Sequence, residues 1–243
     1  MPKISVVIPT LNEEKHIGTL LGSISKQTYK NYEIIVCDYK STDKTRQISR
    51  KYGAKIINVK KKGFAVAKNE GTKKASGEII AYIDADYELF SKDLFEKVVS
   101  VFQRRNKISM VEPRALVNRK DLPKNAILKM LLLNEFERFT HIFMGMLRLA
   151  SPAGCVFCRG SFIKKIGKGF DDNLRIGEDT EFYMRLNRAG GLVLIPQTVK
   201  RSYRRFAREG VLKTYLMYTK VYLMVFVLKI KRYKRPLERL EST

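Results

Sequence analysis

With 243 residues, 44% of them hydrophobic and 30% charged, the chain is long enough to bury a core without disulfides, and its balance excludes intrinsic disorder. The net charge of +24, from 48 Lys and Arg against 24 Asp and Glu, calls for an anionic partner: nucleic acid, an anionic membrane surface or the diphosphate of a nucleotide. Three cysteines, two of them as Cys155 and Cys158 with no matching second pair, exclude a four-cysteine zinc site and read as reduced core residues. Met1-Pro2-Lys3 leads directly into a strand pattern, so a cytoplasmic location is expected.

The first hundred residues alternate strand and helix patterns, as crossover units feeding a mainly parallel sheet do. Ile4–Ile8 is an apolar run stopped by Pro9, and Ile17, Leu20, Leu21 and Ile24 then recur at helical spacing. Glu33–Cys37 predicts the second strand, and Ser41-Thr42-Asp43 offers an N-cap to a short helix ending near Gly53. Ala54–Val59 is the third strand, Gly63 to Ala75 a helix, and Glu78–Ile83 the fourth strand, which ends in Asp84-Ala85-Asp86. Leu94, Phe95, Val98 and Phe102 give the next helix a buried face, and Ile108–Val111 predicts another strand. From Ala126 to Leu149 the pattern predicts one or two amphipathic helices. Ala153–Cys158 and Leu192–Ile195 read as strands with a helix over Glu178–Ala189 between them.

Two carboxylates at i and i+2 after a buried strand project to one side if extended geometry persists, and there they can hold a hard divalent cation or serve a turn. Asp84 and Asp86 have company. The first strand ends in Pro9-Thr10-Leu11-Asn12-Glu13 and the second in Asp38-Tyr39-Lys40-Ser41-Thr42-Asp43, all at the sheet edge where open α/β folds bind ligands. A second acidic pair, Glu178-Asp179, opens a helix, where the helix dipole favours carboxylates in any case.

Ile4–Glu13, Ile34–Asp43, Ala67-Lys68-Asn69-Glu70-Gly71, Ala75-Ser76-Gly77-Glu78 and Asp84-Ala85-Asp86 stand in the order and spacing of the family 2 glycosyltransferases, and the resemblance resumes over Gly167–Arg185. It implies the GT-A fold, with a Rossmann-like, mainly parallel sheet flanked by helices, and inverting transfer from a nucleotide-diphosphate sugar. It implies that Pro9, Thr10, Asn12 and Glu13 surround the nucleoside and that Asp38 accepts a bond from the base. Lys68 lies near the nucleotide, Asp84 faces ribose or metal, and Asp86 binds a divalent cation, Mg or Mn. Asp179, beside Glu178, stands as general base, which a hydroxyl acceptor needs and an already ionised lipid phosphate does not. Two departures stand out: Tyr39-Lys40 replaces the family's usual acid and Gly, and the C-terminal part has no His, since the two histidines are His16 and His141. Ser202-Tyr203-Arg204-Arg205 occupies that region, and Arg204 or Arg205 would reach the diphosphate.

This reading divides the chain into a glycosyltransferase domain over 1–200, with a nucleotide-binding half over 1–105 and an acceptor half over 106–200, and a basic amphipathic helical tail over 201–243. Between Lys200 and Arg235 there are twelve Lys or Arg and one acid, Glu209. The apolar stretch Val211–Ile230 has only eight uncharged residues in its longest run, Val221–Leu228, far short of the roughly 20 a spanning helix needs. Residues 211–235 therefore read as a helix lying on an anionic membrane surface, or as one packed on the domain with a solvated basic end. The expected activity is transfer to a lipid-linked or lipid-phosphate acceptor at the cytoplasmic membrane face, with peripheral association. The alternatives are a soluble enzyme acting on a saccharide acceptor and, more remotely, a basic nucleic-acid-binding protein; no nucleic-acid motif is present and nucleic acid is not an expected partner.

Overall fold

A computed structural model describes residues 1–118, 154–174 and 177–202, with isolated positions at 135, 139, 204, 210, 213, 216, 217, 219 and 220. Apart from positions 135 and 139, the amphipathic segment expected over 126–149, with His141, lies outside the described residues, as does most of the tail expected over 201–243, with Arg205 and the basic end.

Strands β1 (Ile4–Thr10), β2 (Tyr32–Asp38), β3 (Lys55–Asn58), β4 (Ile79–Ile83), β5 (Tyr87–Leu89), β6 (Met110–Val117), β7 (Cys155–Arg159) and β8 (Leu192–Arg201) form one sheet in the order β3-β2-β1-β4-β7-β6-β8-β5. The first four are parallel neighbours, β7 runs antiparallel to both β4 and β6, β8 is parallel to β6, and β5 returns antiparallel to β8. Helices α1 (Ile17–Ser25), α2 (Thr45–Lys51), α3 (Phe64–Lys74), α4 (Leu94–Arg104), α5 (Gly160–Lys165) and α6 (Glu178–Gly190) cover its faces. The outcome is the α/β architecture that the alternating pattern predicts.

Strand alternation sorts the core into two layers. Ile4, Val6, Ile8, Val36, Ala81, Ile83 and Phe157 point to one face and pack with Leu20 of α1 and Phe95 of α4. Val7, Ile35, Cys37, Ile80, Tyr82, Val156 and Cys158 point to the other, where Phe182, Tyr183 and Leu186 of α6 meet them. β1 and β4 are buried along their whole length, as central strands covered on both faces must be. The three cysteines are free and buried, in keeping with their reading as core residues.

The strands run past prolines that the sequence pattern treats as stops. β1 continues through Pro9 to Thr10; its pairing with β4 ends at Val7, so the missing Pro9 N–H costs no rung on that side. β8 continues past Pro196 because the β6–β8 register slips there, from Pro113↔Ile195 to Arg114↔Thr198, which bulges Pro196 and Gln197 out of the ladder. The three-residue β5 and the six-residue α5 are too short for periodicity to announce them.

Two of the segments that carry the resemblance also serve the frame. In Ala67–Gly71, α3 presses against the sheet so closely that a Cβ on Gly71 would lie 2.4 Å from Val7 Cγ1 and 2.7 Å from Cys37 Sγ. Gly71→Ala is therefore expected to destabilise the fold by about 1–3 kcal/mol, the usual cost of overpacking, and a melting curve unchanged from wild type would refute the close packing. In Ala75–Glu78, a Cβ on Gly77 would come 2.6 Å from the Lys3 carbonyl oxygen, while the Gly77 N–H donates to Ser5 Oγ at 2.8 Å. Ser76 N–H and Oγ both donate to Glu33 Oε1 at 2.8 Å. Against the pull of burial, the bonds from Ser5 and Ser76 hold the Glu33 carboxyl down at about 2. These contacts fix where β4 begins, and hence where its acidic end emerges.

Candidate active site

The β1–β2 register puts Thr10 beside Asp38, and Val7 beside Tyr82 brings Asp84, two residues further along, to the level of the β1 end. The loops that follow β1 and β2 are zipped together. Asn12 N–H donates to Ser41 Oγ at 2.9 Å and Thr42 N–H donates back to Asn12 Oδ1 at 2.9 Å. Glu13 N–H donates to Thr45 Oγ1 at 2.7 Å and Glu14 N–H to Asp43 Oδ2 at 3.0 Å. Asp43 also accepts from Thr45 N–H at 2.9 Å, so it serves the start of α2 from two residues before the helix, and α2 itself begins later than the N-cap at 41–43 suggests.

Asp38 is the anchor of this zip. Its side chain is fully buried and accepts from Thr10 Oγ1 at 3.1 Å, Ser41 N–H at 3.0 Å and Ser41 Oγ at 2.5 Å. Three of the about four acceptor sites of this carboxylate are thus taken within the loops, so a nucleobase would meet a side chain already engaged. Lys40, where the family usually has Gly, adopts φ +53°, and Asn12 adopts φ +54°. The loop thus keeps a left-handed turn, at a strain that Asn tolerates well and Lys less so.

Past β4 the extended geometry does not persist: a turn closed by Tyr87 N–H donating to the Asp84 carbonyl at 3.2 Å carries Asp84 and Asp86, and the charge of Glu13 acts on both. Burial first, then the neighbouring Asp179, Asp86 and Glu13, raise the Asp84 carboxyl to about 7 although Lys68 pulls it down. Asp86 is raised too, by burial and by Glu13, against the opposing Arg204. Arg204 closes this cluster from beyond β8: Nη2 donates to Glu13 Oε1 at 2.8 Å, Nη1 to Glu13 Oε2 at 3.2 Å, and Nε lies 3.5 Å from Asp86 Oδ2. Behind Asp86 is a polar recess lined by His16, Thr19, Tyr87, Glu88, Lys200 and Ser202. His16, which its sequence position alone would leave on the surface, faces that recess half-buried.

Across the cluster stands α6, with Glu178, Asp179 and Glu181 in its first turn, where the unsatisfied N–H groups favour negative charge. Lys68 of α3 is buried, with 2% of its side chain exposed, and donates to Asp179 Oδ1 at 2.5 Å. It also lies 5.3 Å from the centre of the Phe170 ring. Burial alone would lower the Lys68 ammonium; Asp179, Asp84 and Glu178 together outweigh it and raise it. Glu178 is raised by burial and by Asp179, so it favours its proton. Lys68, expected beside the nucleotide, thus bonds the candidate base and also feels the charge of Asp84.

The support of Asp179 is the part that sequence reasoning missed. Asn69 bonds the Phe170 backbone at both ends, Nδ2 to its carbonyl at 2.8 Å and Oδ1 from its N–H at 2.9 Å. Arg185 donates to the carbonyls of Lys168 and Gly169 at 2.6 Å each and to Glu181 at 2.7 and 2.9 Å. Phe170 stacks on Phe182 with centroids 3.9 Å apart and meets Tyr82 edge-on at 5.0 Å. The available signal was the Asn next to Lys68 and the Arg at i+4 from Glu181.

The oxygen donors Asp84 and Asp86, raised by burial and then by neighbouring carboxylates, suit a hard divalent cation, whose charge would favour their ionised forms. Among the described residues no group of three or more His, Cys, Asp or Glu is arranged to hold a metal by itself. A cation here would complete its shell with water and substrate oxygens, as Mg and its analogues do at phosphate sites. Because Asp84 in the folded chain titrates near 7 rather than near 4, its proton adds stability in full below about pH 4, and that share is lost as pH rises through about 7. Metal needs the ionised form. Mn2+ is therefore expected to raise the melting temperature more at about pH 8 than at about pH 6, and equal shifts in scanning fluorimetry would contradict the assignment.

The comparisons with known proteins point the same way. Over 107 residues the chain is 35% identical to the UDP-Glc:alpha-D-GlcNAc-diphosphoundecaprenol beta-1,3-glucosyltransferase WfgD of Escherichia coli, covering 42% of each chain. It spans less than half the length of the curated relatives it matches. Among solved structures it superposes on S. aureus TarS 1–349 in complex with UDP with a TM-score of 0.65 at 22% identity, over 82% of this chain and 60% of that one. The mannosyltransferase PcManGT from Pyrobaculum calidifontis, in complex with GDP-Man and Mn2+, superposes with a TM-score of 0.63 at 18% identity, over 90% and 64%. At these identities the superpositions establish the shared GT-A fold. Residues 5–166, two-thirds of the sequence, match the model of glycosyl transferase family 2, and the chain belongs to that family.

Proposed function

We propose that the chain is an inverting glycosyltransferase that moves a sugar from a nucleotide-diphosphate sugar to a lipid-linked or lipid-phosphate acceptor at the cytoplasmic face of a membrane. The observation that carries the reading is the convergence of Glu13, Asp84 and Asp86 at the ends of β1 and β4, opposite an Asp179 held by the buried Lys68. In this reading 1–105 forms the nucleotide-binding half, 106–200 the acceptor half and 201–243 an appended basic tail. Pro9, Thr10, Asn12, Glu13 and Asp38 line the nucleoside side, and Asp84 takes the ribose or shares the metal with Asp86. Arg204, with Arg205, supplies positive charge for the diphosphate.

A bound Mg or Mn would supply positive charge beside the departing diphosphate. The chain's own residues do the rest. Asp179 takes the proton from an attacking hydroxyl, and Lys68, donating to its Oδ1, aims the carboxylate. Burial and the neighbouring Asp179 favour the protonated form of Glu178 beside it. For an already ionised phosphate acceptor, Asp179 orients rather than deprotonates.

TarS is solved with UDP and PcManGT with GDP-Man, which makes uridine and guanosine donors the two to try. A thermal-shift screen of UDP- and GDP-sugars with Mn2+ or Mg2+ tests the reading: one donor should stabilise the protein by several degrees in a metal-dependent way, and no response to any donor would overturn it. WfgD carries a diphosphoundecaprenol acceptor in its name, which supports a lipid-linked acceptor here. Among the described residues no helix is long and apolar enough to cross a membrane, and in this reading the tail over 211–235 lies on the bilayer surface. Flotation with anionic vesicles should show binding that is lost on removing residues 211–243; undiminished binding would end the membrane part and leave the soluble saccharide-acceptor reading.

A further inference from the structure

Arg204 is separated from Glu13 by 191 residues, yet its guanidinium grips both Glu13 oxygens and reaches toward Asp86. The arm that carries it is fixed at its root, where Ser202 N–H donates to the Asp86 carbonyl at 3.1 Å. The partners are unequally placed: the side chains of Glu13 and Asp86 are 16% and 19% exposed, that of Arg204 51%. The carboxylates are held in the site, whereas the arginine lies half in water and can leave.

That arrangement creates a conflict. Asp86 Oδ2 is the oxygen that Arg204 approaches, and Asp86 is also a candidate metal ligand. A divalent ion on that carboxylate would stand against a guanidinium already there, and like charges at such range repel. A diphosphate resolves the conflict, because the guanidinium fork fits phosphate oxygens as well as it fits carboxylate.

We propose that Arg204 is an exchangeable counter-ion of the donor site, which holds Glu13 and Asp86 when the site is empty and passes to the phosphates of an incoming nucleoside diphosphate, coupling metal and nucleotide binding. This rests on the donor-site reading above and adds to it a reason for metal and nucleotide to bind together. Metal alone must displace Arg204 with nothing to receive it. Metal with diphosphate gives Arg204 a new anion and frees Asp86 in the same event.

The test measures Mn2+ binding by the full chain, alone and with UDP or GDP, by the electron paramagnetic resonance of free Mn2+. Wild type should bind Mn2+ weakly alone and about tenfold or more tightly with a nucleotide, a typical size for coupled sites. Arg204→Ala should bind Mn2+ alone about threefold or more tightly than wild type and lose most of the nucleotide effect. Arg204→Lys, which keeps the charge without the fork, should fall between. Arg204 is half exposed, so a melting curve close to wild type should confirm that the variants fold. If Arg204→Ala binds Mn2+ alone no better than wild type, the exchange is overturned while the donor-site reading stands. Tighter Mn2+ binding with the nucleotide effect intact also overturns it, since Arg204 would then be only a plug. If wild type binds neither UDP nor GDP with Mn2+, the donor-site reading falls and the exchange with it.

Discussion

Asp179→Asn is expected to lower kcat for transfer to a hydroxyl acceptor by about 10²–10⁴-fold while leaving donor affinity near wild type, because general-base assistance is worth about that much. The substitution is close to isosteric and keeps an acceptor oxygen for Lys68, so the α3–α6 contact should persist. It does remove one of the three carboxylates that surround the buried ammonium. Asp84 and Glu178, both raised in the wild-type protein by burial and by Asp179, would then ionise more readily and compensate the charge in part. The fold should therefore survive with a modest loss of stability, and the kinetic effect can be read cleanly. The same variant distinguishes acceptor classes. On a phosphate acceptor, which brings its own negative oxygen, the loss should stay below about tenfold. Initial rates with the donor found by thermal shift, measured on one acceptor of each kind, decide the matter; wild-type rates on a hydroxyl acceptor would remove Asp179 from the mechanism.

The behaviour of Asp179 shows what could and could not be read from the chain alone. Its position, opening a helix after Gly177, was legible because an acidic first turn is a local pattern. Its partner was not. Lys68 lies 111 residues away, and nothing in the periodicity of α3 distinguishes a lysine aimed inward from one in solvent. The same holds for Glu13 and Arg204, which meet only because β1 and the end of β8 reach the same region of the sheet edge. Strand ends were placed well where the core pattern was continuous, as in β4, since Ile79–Ile83 are buried on both faces. They were cut short at Pro9 and Pro196, where local rules against proline in strands lost to register and bulging. The segments matched by resemblance divide in the structure into two kinds. Asp84 and Asp86 face the site, whereas Asn69, Gly71, Ser76 and Gly77 build the frame that delivers them.

Asp86→Ala should abolish metal-dependent turnover, with a loss of about 10²–10³-fold or more, the scale on which charge stabilisation at a departing group contributes. Asp86 is the better probe of the pair. Asp84 shares Lys68 with Asp179, so changing it would disturb base and metal site together. Asp86 instead shares Arg204 with Glu13, and Glu13 keeps its bidentate hold on that arginine when Asp86 is gone. The rest of the cluster thus has reason to stay in place, and the change isolates one oxygen ligand. Rates followed against Mn2+ concentration should lose their rise in Asp86→Ala, and the stabilisation by Mn2+ with nucleotide should fall with them. A variant that keeps wild-type turnover and still saturates with Mn2+ would show that the cation sits elsewhere. Loss of turnover with Mn2+ stabilisation intact would assign Asp86 to positioning the donor and leave Asp84 as the metal's carboxylate.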